Sequence, residues 1–399
     1  MDVMTENKVL PTLRFKLKGE EWFYKKIGDI CVVKTGGKDT QDRKESGKYP
    51  FFVRSNTVEK IDSFSFDGEA ILTSGDGVGV GKNFHYINDK FDYHQRVYAL
   101  HSFKEGFSGK FIFQVFKQNF YRRVMRLSAK NSVDSVRMSM ITDMEIAFPS
   151  LTEQQRIASF LSAVDDKLQQ LTKKKDLLEA YKKGIMQKIF SQELRFKDAN
   201  GNNYPDWEEK KMGAIGETFN GLTGKTKVDF GRGKPFIQYM QIFNSAKIDT
   251  SKFGYVDINE GEKQKTAKYG DVFFTTSSET PLEIGYASVL TEEIEEVYLN
   301  SFCFGYRPNS LTELYPDFSS YLFRSEFLRK QIVKLAQGST RYNMSKVQLM
   351  KVLIQLPSLD EQQKIANFLS SLDSKIELVS TQIENSKAFK KGLLQQMFV

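Results

Sequence analysis

Cysteine and histidine are scarce in this 399-residue chain, which contains two of the former and three of the latter. Cys31 and Cys303 lie far apart and form no Cys-x-x-Cys pair, which excludes a zinc ribbon or a disulfide framework and fits a reducing compartment. His85, His94 and His101 have spacings that match no recognised metal site. We therefore expect no metal site in this chain.

Long hydrophobic runs are also absent. No unbroken apolar stretch reaches the roughly 18 residues that a membrane-spanning helix needs. The first ten residues are polar and acidic and lack the apolar core of a signal peptide. We expect a soluble, cytoplasmic protein with no membrane contact.

Motifs for catalysis or nucleotide binding are incomplete. Gly224-Lys-Thr resembles the end of a P-loop, but the glycine needed five residues earlier is Phe219. The glycine-rich stretch Gly75–Gly81 matches neither the P-loop nor GxGxxG. It predicts a structural hairpin, with a turn that brings backbone amides near an anion as the alternative. No Asn-Pro-Pro-aromatic or Asp-Pro-Pro-Tyr motif of amino-methyltransferases occurs. The sequence therefore predicts no catalytic residue.

Basic residues are present in excess. The chain has 58 Lys and Arg against 50 Asp and Glu, a net charge of +8, which favours a polyanionic partner. Its length is too great for one ordinary domain and predicts two to three. Nucleic acid is the partner that this balance favours.

An internal duplication is the most informative feature. Residues 149–167 and 357–375 are identical at 13 of 19 positions, at an offset of 208. Both copies read Pro-Ser-Leu-x-Glu-Gln-Gln-[Arg/Lys]-Ile-Ala-x-Phe-Leu, and Ala180-Tyr-Lys-Lys-Gly recurs as Ala388-Phe-Lys-Lys-Gly. Upstream, Leu13-Arg-Phe-Lys recurs as Leu194-Arg-Phe-Lys, and other matches follow at offsets of 185 and 202. The growing offset indicates one scaffold with longer loops in the second copy.

The duplicated motif predicts a long helix in each copy. Apolar residues recur at alternating spacings of four and three, which is typical of a coiled-coil seam. Thr152 and Asp360 are the expected N-caps. The two seams could bury against each other or against partner chains, and an antiparallel pair within the chain is the more economical arrangement.

The predicted fold class is α+β, with two mixed α/β units and two long helices in a pseudo-twofold repeat. The preceding stretches carry short β-branched or aromatic runs, among them Ala70–Thr73, Val97–Leu100 and Val272–Thr276, which predict strands. Apolar spacing predicts helices at 110–120 and 317–334. The expected boundaries are 1–151 and 194–358 for the globular units, and 152–193 and 359–399 for the helices.

Polar clusters in both units have the side chains that contact DNA. Arg binds guanine, Asn and Gln bind adenine, and Ser and Lys hold phosphates. The candidates in the first unit are Arg54, Ser55, Asn56, His94, Gln95, Arg96, Lys130 and Asn131. Those in the second unit are Lys225, Lys227, Arg232, Gln238, Tyr239, Ser277, Arg341 and Asn343.

The duplicated helix motif after each of two related globular units resembles the specificity subunit of type I restriction–modification systems. The resemblance covers nearly the whole chain, from Leu13 to Phe398. It implies that each globular unit is a target recognition domain that reads half of a split site in double-stranded DNA. It also implies that the helices form an antiparallel coiled coil that sets the gap and docks two modification subunits. The restriction, or motor, subunits join through the complex.

The same resemblance implies a non-catalytic chain without a cofactor, because S-adenosylmethionine, ATP and Mg²⁺ belong to the partner subunits. We expect a hinge and partner-docking region at Glu153, Gln154, Gln155, Glu361, Gln362 and Gln363, with the adjacent helix surfaces. Two other interpretations stay open at this stage. One is a stand-alone nuclease or methyltransferase with an unfamiliar site, and the other is a coiled-coil scaffold with protein- or carbohydrate-binding heads.

Overall fold

The computed structural model describes residues 11–15, 21–128 and 135–398. The chain divides into two compact units, one of residues 1–172 with 381–399 and one of residues 173–380. This division runs through both long helices, whereas the boundaries expected from the sequence make each helix a separate segment. No helix in the described ranges is long and apolar enough to cross a membrane.

The first unit is built on a six-stranded sheet. Its strands and short helices, numbered in chain order, are β1 Phe23–Lys26, β2 Val32–Thr35, β3 Tyr49–Phe52, β4 Val58–Ile61, β5 Phe66–Ser74, β6 Phe84–Tyr93, β7 Val97–His101, β8 Glu145–Phe148, α1 Ile27–Ile30, α2 Gly109–Leu127 and α3 Met138–Thr142. The sheet order is β2-β7-β5-β6-β3-β4, and β1 pairs with β8 apart from it. Helix α2 begins at the N-cap Ser108 and buries Phe111, Phe116 and Phe120 in the core.

The second unit repeats this plan with more interruptions. Its elements are β9 Glu208–Lys211, β10 Gly216–Asn220, β11 Phe230–Ile237, β12 Gly254–Val256, β13 Val272–Thr275, β14 Ser277–Ser278, β15 Ala287–Val289, β16 Tyr298–Leu299, β17 Cys303–Pro308, β18 Ala336–Gln337, β19 Tyr342–Met344, β20 Leu353–Leu356, α5 Met212–Ile215, α6 Tyr239–Asn244, α7 Pro316–Leu322, α8 Glu326–Val333 and α9 Lys346–Leu349. The sheet orders are β10-β17-β13-β15, β12-β11-β16, β14-β19-β18 and β20-β9.

Matching strand pairs relate the two units. The pairs β1–β8 and β9–β20 are antiparallel, and the pairs β3–β6 and β11–β16 are parallel. Two continuous elements of the first unit are interrupted in the second: β6 corresponds to β15 and β16, and α2 corresponds to α7 and α8. The predicted helix over 317–334 is therefore broken, and Ser325 caps its second part by accepting the Leu328 N–H at 3.3 Å.

The two long helices are α4, Leu151–Phe190, and α10, Leu359–Met397. In the first unit, the start of α4 and the end of α10 share one core, which includes Ile157, Leu161, Leu393 and Met397. In the second unit, the end of α4 and the start of α10 do the same. The helix segments within each unit therefore run antiparallel, which confirms the predicted fold class.

The helix N-termini correct one local prediction. The helices begin at Leu151 and Leu359, one residue before the expected caps Thr152 and Asp360. Ser150 accepts the Glu153 N–H at 3.4 Å, as an N-cap does. Ser358 accepts the N–H of Glu361 in the same way, so the serine of the repeated Pro-Ser-Leu holds the first turn.

Candidate nucleic-acid interface

Four segments of the first unit meet at one place, and we call them the first loop group: residues 53–57, 74–83, 94–96 and 135–136. Backbone hydrogen bonds join the last three, since the Gly75 N–H donates to the Arg96 carbonyl at 2.7 Å. The Val136 N–H in turn donates to the Gly75 carbonyl at 2.7 Å. The turn at 75–83 connects β5 to β6, which confirms the predicted hairpin.

An aspartate brings two predicted DNA-contact residues together in this group. Asp76 Oδ1 accepts a hydrogen bond from Arg54 Nη1 at 3.0 Å, and its Oδ2 lies 3.7 Å from Arg96 Nε. The Arg54 and Arg96 side chains are 46% and 65% exposed, whereas Asp76 is 22% exposed. Two guanidinium groups are thus held side by side at the surface. The sequence predicts both arginines as DNA contacts, but it carries no local signal for the carboxylate between them.

Two polar side chains, the buried Asn83 and the half-buried His85, hold the segment that carries Arg54. The Asn83 amide donates to the Arg54 carbonyl at 3.0 Å and to Ser74 Oγ at 3.3 Å. His85 Nε2 lies 3.0 Å from the Ser55 carbonyl. These contacts attach residues 53–57, with the exposed Arg54 and Asn56, to the base of the hairpin.

His94 supports the loop from inside. Its side chain is buried, and its Nδ1 accepts the Arg96 N–H at 2.9 Å, so the neutral ring carries its proton on Nε2. Burial and the nearby Arg54 lower the pKa of His94, which favours the neutral ring. Gln95 is exposed and donates to Asp39 at 3.0 Å. Of this predicted trio, Gln95 and Arg96 face solvent and His94 does not.

The second unit builds an equivalent place, which we call the second loop group: residues 238–241, 276–286, 300–302 and 342–344. The Thr276 N–H donates to the Phe302 carbonyl at 3.2 Å, and the Met344 N–H donates to the Thr276 carbonyl at 2.9 Å. These two bonds repeat the pattern of Gly75 in the first loop group.

Several predicted residues of the second unit come together in this group. Ser277 pairs with Asn343 in the β14–β19 ladder, and Tyr239 Oη donates to the Ser277 carbonyl at 2.8 Å. Gln238 and Asn343 are exposed, as is Arg341 just before the last segment of the group, whereas Ser277 is buried. Phe302, which the sequence analysis did not single out, is 63% exposed and corresponds to Arg96. The internal repeat is the sequence signal that identifies Phe302, because it aligns this residue with Arg96.

Three further predicted DNA-contact residues of the second unit lie outside the second loop group, and two of them form ion pairs. Lys225 bonds Glu262 at 2.5 Å, and this bond is the largest cause that lowers the pKa of Glu262 to about 2. Arg232 pairs with Asp257 at 3.1 Å, and Lys227 is exposed. These three belong to a separate stretch around the start of β11. The candidates Lys130 and Asn131 lie outside the described residues.

The glutamates of the repeated Glu-Gln-Gln motif are buried within the chain. Glu361 accepts hydrogen bonds from Arg195 Nε at 3.2 Å, from Arg195 Nη2 at 2.7 Å and from Trp207 Nε1 at 3.1 Å. Glu153 accepts from Arg14 Nε at 3.4 Å and from Nη2 at 3.1 Å. The duplicated Leu-Arg-Phe-Lys segment thus supplies the arginine that each duplicated glutamate binds.

The first glutamine of each motif is equally internal. Gln154 donates to the carbonyls of Gly106 and Pro149, and its oxygen accepts the Ser108 N–H at 3.0 Å. Gln362 makes the corresponding bonds to Glu313, Pro357 and Tyr315. This leaves Gln155, which is exposed, and Gln363, which is half-buried, as the motif residues that a partner can reach. The buried four instead fix the junction of helix and globular unit.

No metal-binding arrangement of three or more His, Cys, Asp or Glu side chains occurs in the described part of the chain. Cys31 and Cys303 are both buried, and burial raises the pKa of each thiol to about 12. Neither thiol is therefore activated as a nucleophile.

Comparison with known proteins agrees with this arrangement. The family model of the type I restriction modification DNA specificity domain matches the chain twice, over residues 19–180 and 204–386. The MjaVIII specificity subunit of Methanocaldococcus jannaschii is 23% identical over 94% of this chain and 91% of its own length. The putative MjaX specificity subunit of the same organism is 25% identical over 92% and 82%.

A solved structure shares the fold. The S subunit of a type I restriction–modification system from M. genitalium superposes with a TM-score of 0.64 at 17% identity, covering 98% of this chain and 99% of that one. The two family matches together span most of the sequence. The chain therefore belongs to the type I restriction–modification DNA specificity family, which confirms the resemblance inferred from the duplicated motif.

Proposed function

We propose that this chain is the sequence-reading subunit of a type I restriction–modification complex and has no catalytic site of its own. Each unit reads one half of a two-part site in double-stranded DNA, and the long helices set the gap between the halves. One observation carries the proposal: the same backbone hydrogen bonds hold the two loop groups, while their exposed side chains differ. A shared scaffold with different exposed groups suits two different half-sites.

The helices offer a repeated surface for partner subunits. Tyr181 and Phe389 occupy equivalent positions in the repeat and are 51% and 55% exposed. Three residues further along each helix stand Gly184 and Gly392, where an added Cβ would meet nothing within 4 Å in the described chain. A helix-interior glycine costs about 1 kcal/mol relative to alanine. Close approach of another backbone gives these glycines a reason, and two equivalent surfaces suit two copies of one partner.

The proposed partners are two modification subunits, with restriction or motor subunits joining through the complex. S-adenosylmethionine chemistry, ATP and Mg²⁺ are assigned to those partners. The proposed role places the chain in the cytoplasm with its DNA target. We assign the docking surface to the exposed Tyr181 and Phe389 and to Gln155 and Gln363, because the other residues of the Glu-Gln-Gln motifs are buried.

Methylation mapping tests the proposal. The chain is expressed with its neighbouring modification subunit, and methylated adenines are mapped on bulk DNA. The expected result is a two-part motif with a fixed gap. Shortening residues 168–179, with a matching change in α10, should alter the gap and leave the half-sites unchanged. A continuous motif, or no methylation, contradicts the proposal and favours a scaffold with protein- or carbohydrate-binding heads.

A further inference from the structure

In the first loop group, Asp76 forms an ion-pair cluster with Arg54 and Arg96 that the folding of this unit does not require. Asp76 holds Arg54 through Nη1 at 3.0 Å, and it faces Arg96 through Nε at 3.7 Å. All three side chains are at least partly exposed, so the cluster contributes little to stability. Its effect is instead to restrict where the two guanidinium groups point.

The atoms that remain unengaged are the ones that DNA recognition needs. The closest approach of Arg96 to the carboxylate is through Nε at 3.7 Å, and its Nη1–Nη2 edge makes no hydrogen bond in the described chain. Such an edge donates two parallel hydrogen bonds to O6 and N7 of guanine in the major groove. Arg54 engages through one terminal nitrogen, so its other donors are also available. An arginine oriented before binding loses less conformational freedom when it meets its base.

The backbone supports this orientation on both sides. The Arg96 N–H is bound by the His94 ring at 2.9 Å, and its carbonyl accepts the Gly75 N–H at 2.7 Å. The Arg54 carbonyl is held by the buried Asn83 at 3.0 Å. Asp76 itself pairs with Ser135 in an isolated antiparallel bridge. The three side chains therefore stand on anchored backbone.

We propose that Asp76 is a positioning residue that presents Arg54 and Arg96 to guanines in the half-site of the first unit. This proposal rests on the proposed function and goes beyond it, because it names the bases that are recognised and the residue that orients the two arginines. Asp76 has a second effect, since its negative charge repels phosphates and so disfavours arginine–phosphate contacts on unrelated DNA. The second loop group has Ser277 at the equivalent position and lacks this charge.

The test uses the complex assembled with its modification subunit and duplexes that carry its mapped methylation motif. Each guanine of the motif is replaced in turn by 7-deazaguanine, which lacks the N7 acceptor. We expect a roughly tenfold loss of affinity at guanines of one half-site only, in line with the value of a bidentate contact. Arg54→Ala and Arg96→Ala should each abolish the sensitivity at one of these guanines.

Asp76→Asn separates positioning from a structural role. It should reduce the penalty of 7-deazaguanine several-fold in the first half-site and raise the affinity for unrelated DNA. Asp76→Glu should restore much of the discrimination. Asp257→Asn, which removes the partner of Arg232 in the second unit, is the matched control and should leave the first half-site unchanged. A structural residue would instead lower the affinity for all sequences together.

The outcomes distinguish the inference from the proposed function. A two-part motif whose recognition is insensitive to Asp76, Arg54 and Arg96 overturns the positioning role and leaves the proposed function standing. Uniform weakening by Asp76→Asn, with no rescue by glutamate, also overturns the positioning role. A complex that methylates no two-part motif overturns both.

Discussion

The two loop groups share a backbone but differ in chemistry. In the first, Asp76 joins Arg54 and Arg96 in a charged cluster. In the second, the same backbone bonds surround Ser277 and Asn343, and Phe302 replaces Arg96. Backbone hydrogen bonds and buried residues therefore maintain the scaffold in both units. The exposed side chains can then change without cost to the fold.

The contacts between the long helices differ from the loop groups, because the same charged side chains recur in both units. Lys390 binds Asp165 in the first unit, and Lys182 binds Asp373 in the second, each at the same step of the repeat. The third member changes: Gln114 donates to Asp165 at 3.4 Å, whereas Tyr321 donates to Asp373 at 2.7 Å. The junction therefore retains its charges and tolerates a change in the neutral donor.

The largest expected effect concerns the buried glutamates. Glu361→Ala removes the acceptor of the Trp207 indole and the buried carboxylate partner of Arg195, and should destabilise the second unit by about 3 kcal/mol. Glu153→Ala should cost the first unit about 2 kcal/mol, because Trp22 Nε1 has no hydrogen-bond partner in the described chain to lose.

Each unit contains one of the two tryptophans, which gives a separate reporter for each. Urea unfolding followed by tryptophan fluorescence in a Trp22→Phe chain measures the second unit, and a Trp207→Phe chain measures the first. Equal losses for the two glutamate variants would contradict the role assigned to the Trp207 bond.

The next effect concerns the exposed aromatic residues of the helices. Tyr181→Ala combined with Phe389→Ala should weaken capture of the modification subunit by about 2 kcal/mol per site, as for a buried aromatic anchor. Leu177→Ala with Leu378→Ala is the matched control, because these exposed leucines are not repeat equivalents. Sedimentation of the mixed subunits measures the stoichiometry and affinity. Equal loss in both double variants would show that the repeated positions have no special role.

A smaller effect with opposite signs is expected at the helix glycines. Gly184→Ala and Gly392→Ala should raise the unfolding free energy of the isolated chain by about 1 kcal/mol each. The same changes should weaken assembly, because the added methyl group occupies the space that the partner backbone needs. Thermal unfolding and subunit binding are measured on the same samples. Stabilisation without loss of binding would remove the glycines from the docking surface.

The smallest effect separates the two units by pH. All three histidines lie in the first unit, and burial is the largest cause that lowers the pKa of each. Arg54 adds to this at His94, Lys117 at His85 and Lys34 at His101. The unfolded chain, with a histidine pKa near 6.5, then binds protons more readily than the folded unit. Stability of the first unit should fall as the pH drops below 6.5.

The second unit should respond differently between pH 7.5 and 5.5. Its Asp249 and Glu262 have pKa values lowered to about 2 by hydrogen bonds and nearby lysines, so they stay ionised in this range. Burial raises the pKa of Asp271, which acts in the opposite sense and opposes destabilisation. Urea unfolding of the two single-tryptophan chains at both pH values measures the difference. A parallel loss in both units would contradict the histidine assignment.

The helices and the repeat were predictable because their signals are periodic. The spacing of Ile157, Leu161 and their equivalents predicted the seam, and the repeated Pro-Ser-Leu located the helix starts to within one residue. The break between α7 and α8 was not predicted, because apolar spacing continues across Ser325. The N-cap signal at this break is Ser325 followed by Glu326.

The roles of individual polar residues were less predictable. Gln154 and Gln155 are adjacent residues of the same type. Gln154 is buried and donates to two backbone carbonyls, whereas Gln155 is exposed. His94 was assigned to DNA, although its ring binds a backbone N–H two residues away. Asp76 stands in a glycine-rich stretch with no sequence signal of its own, because only the fold brings Arg54 and Arg96 to it. Such contacts join residues distant in sequence and leave no local pattern.

The most direct test of two independent reading units exchanges one of them. The first globular unit, before helix α4, is replaced by that of another specificity subunit, and methylated adenines are mapped with the same modification subunit. We predict that one half of the motif changes while the other half and the gap stay the same. A change in both halves, or in the gap, would contradict the assignment of one half-site to each unit.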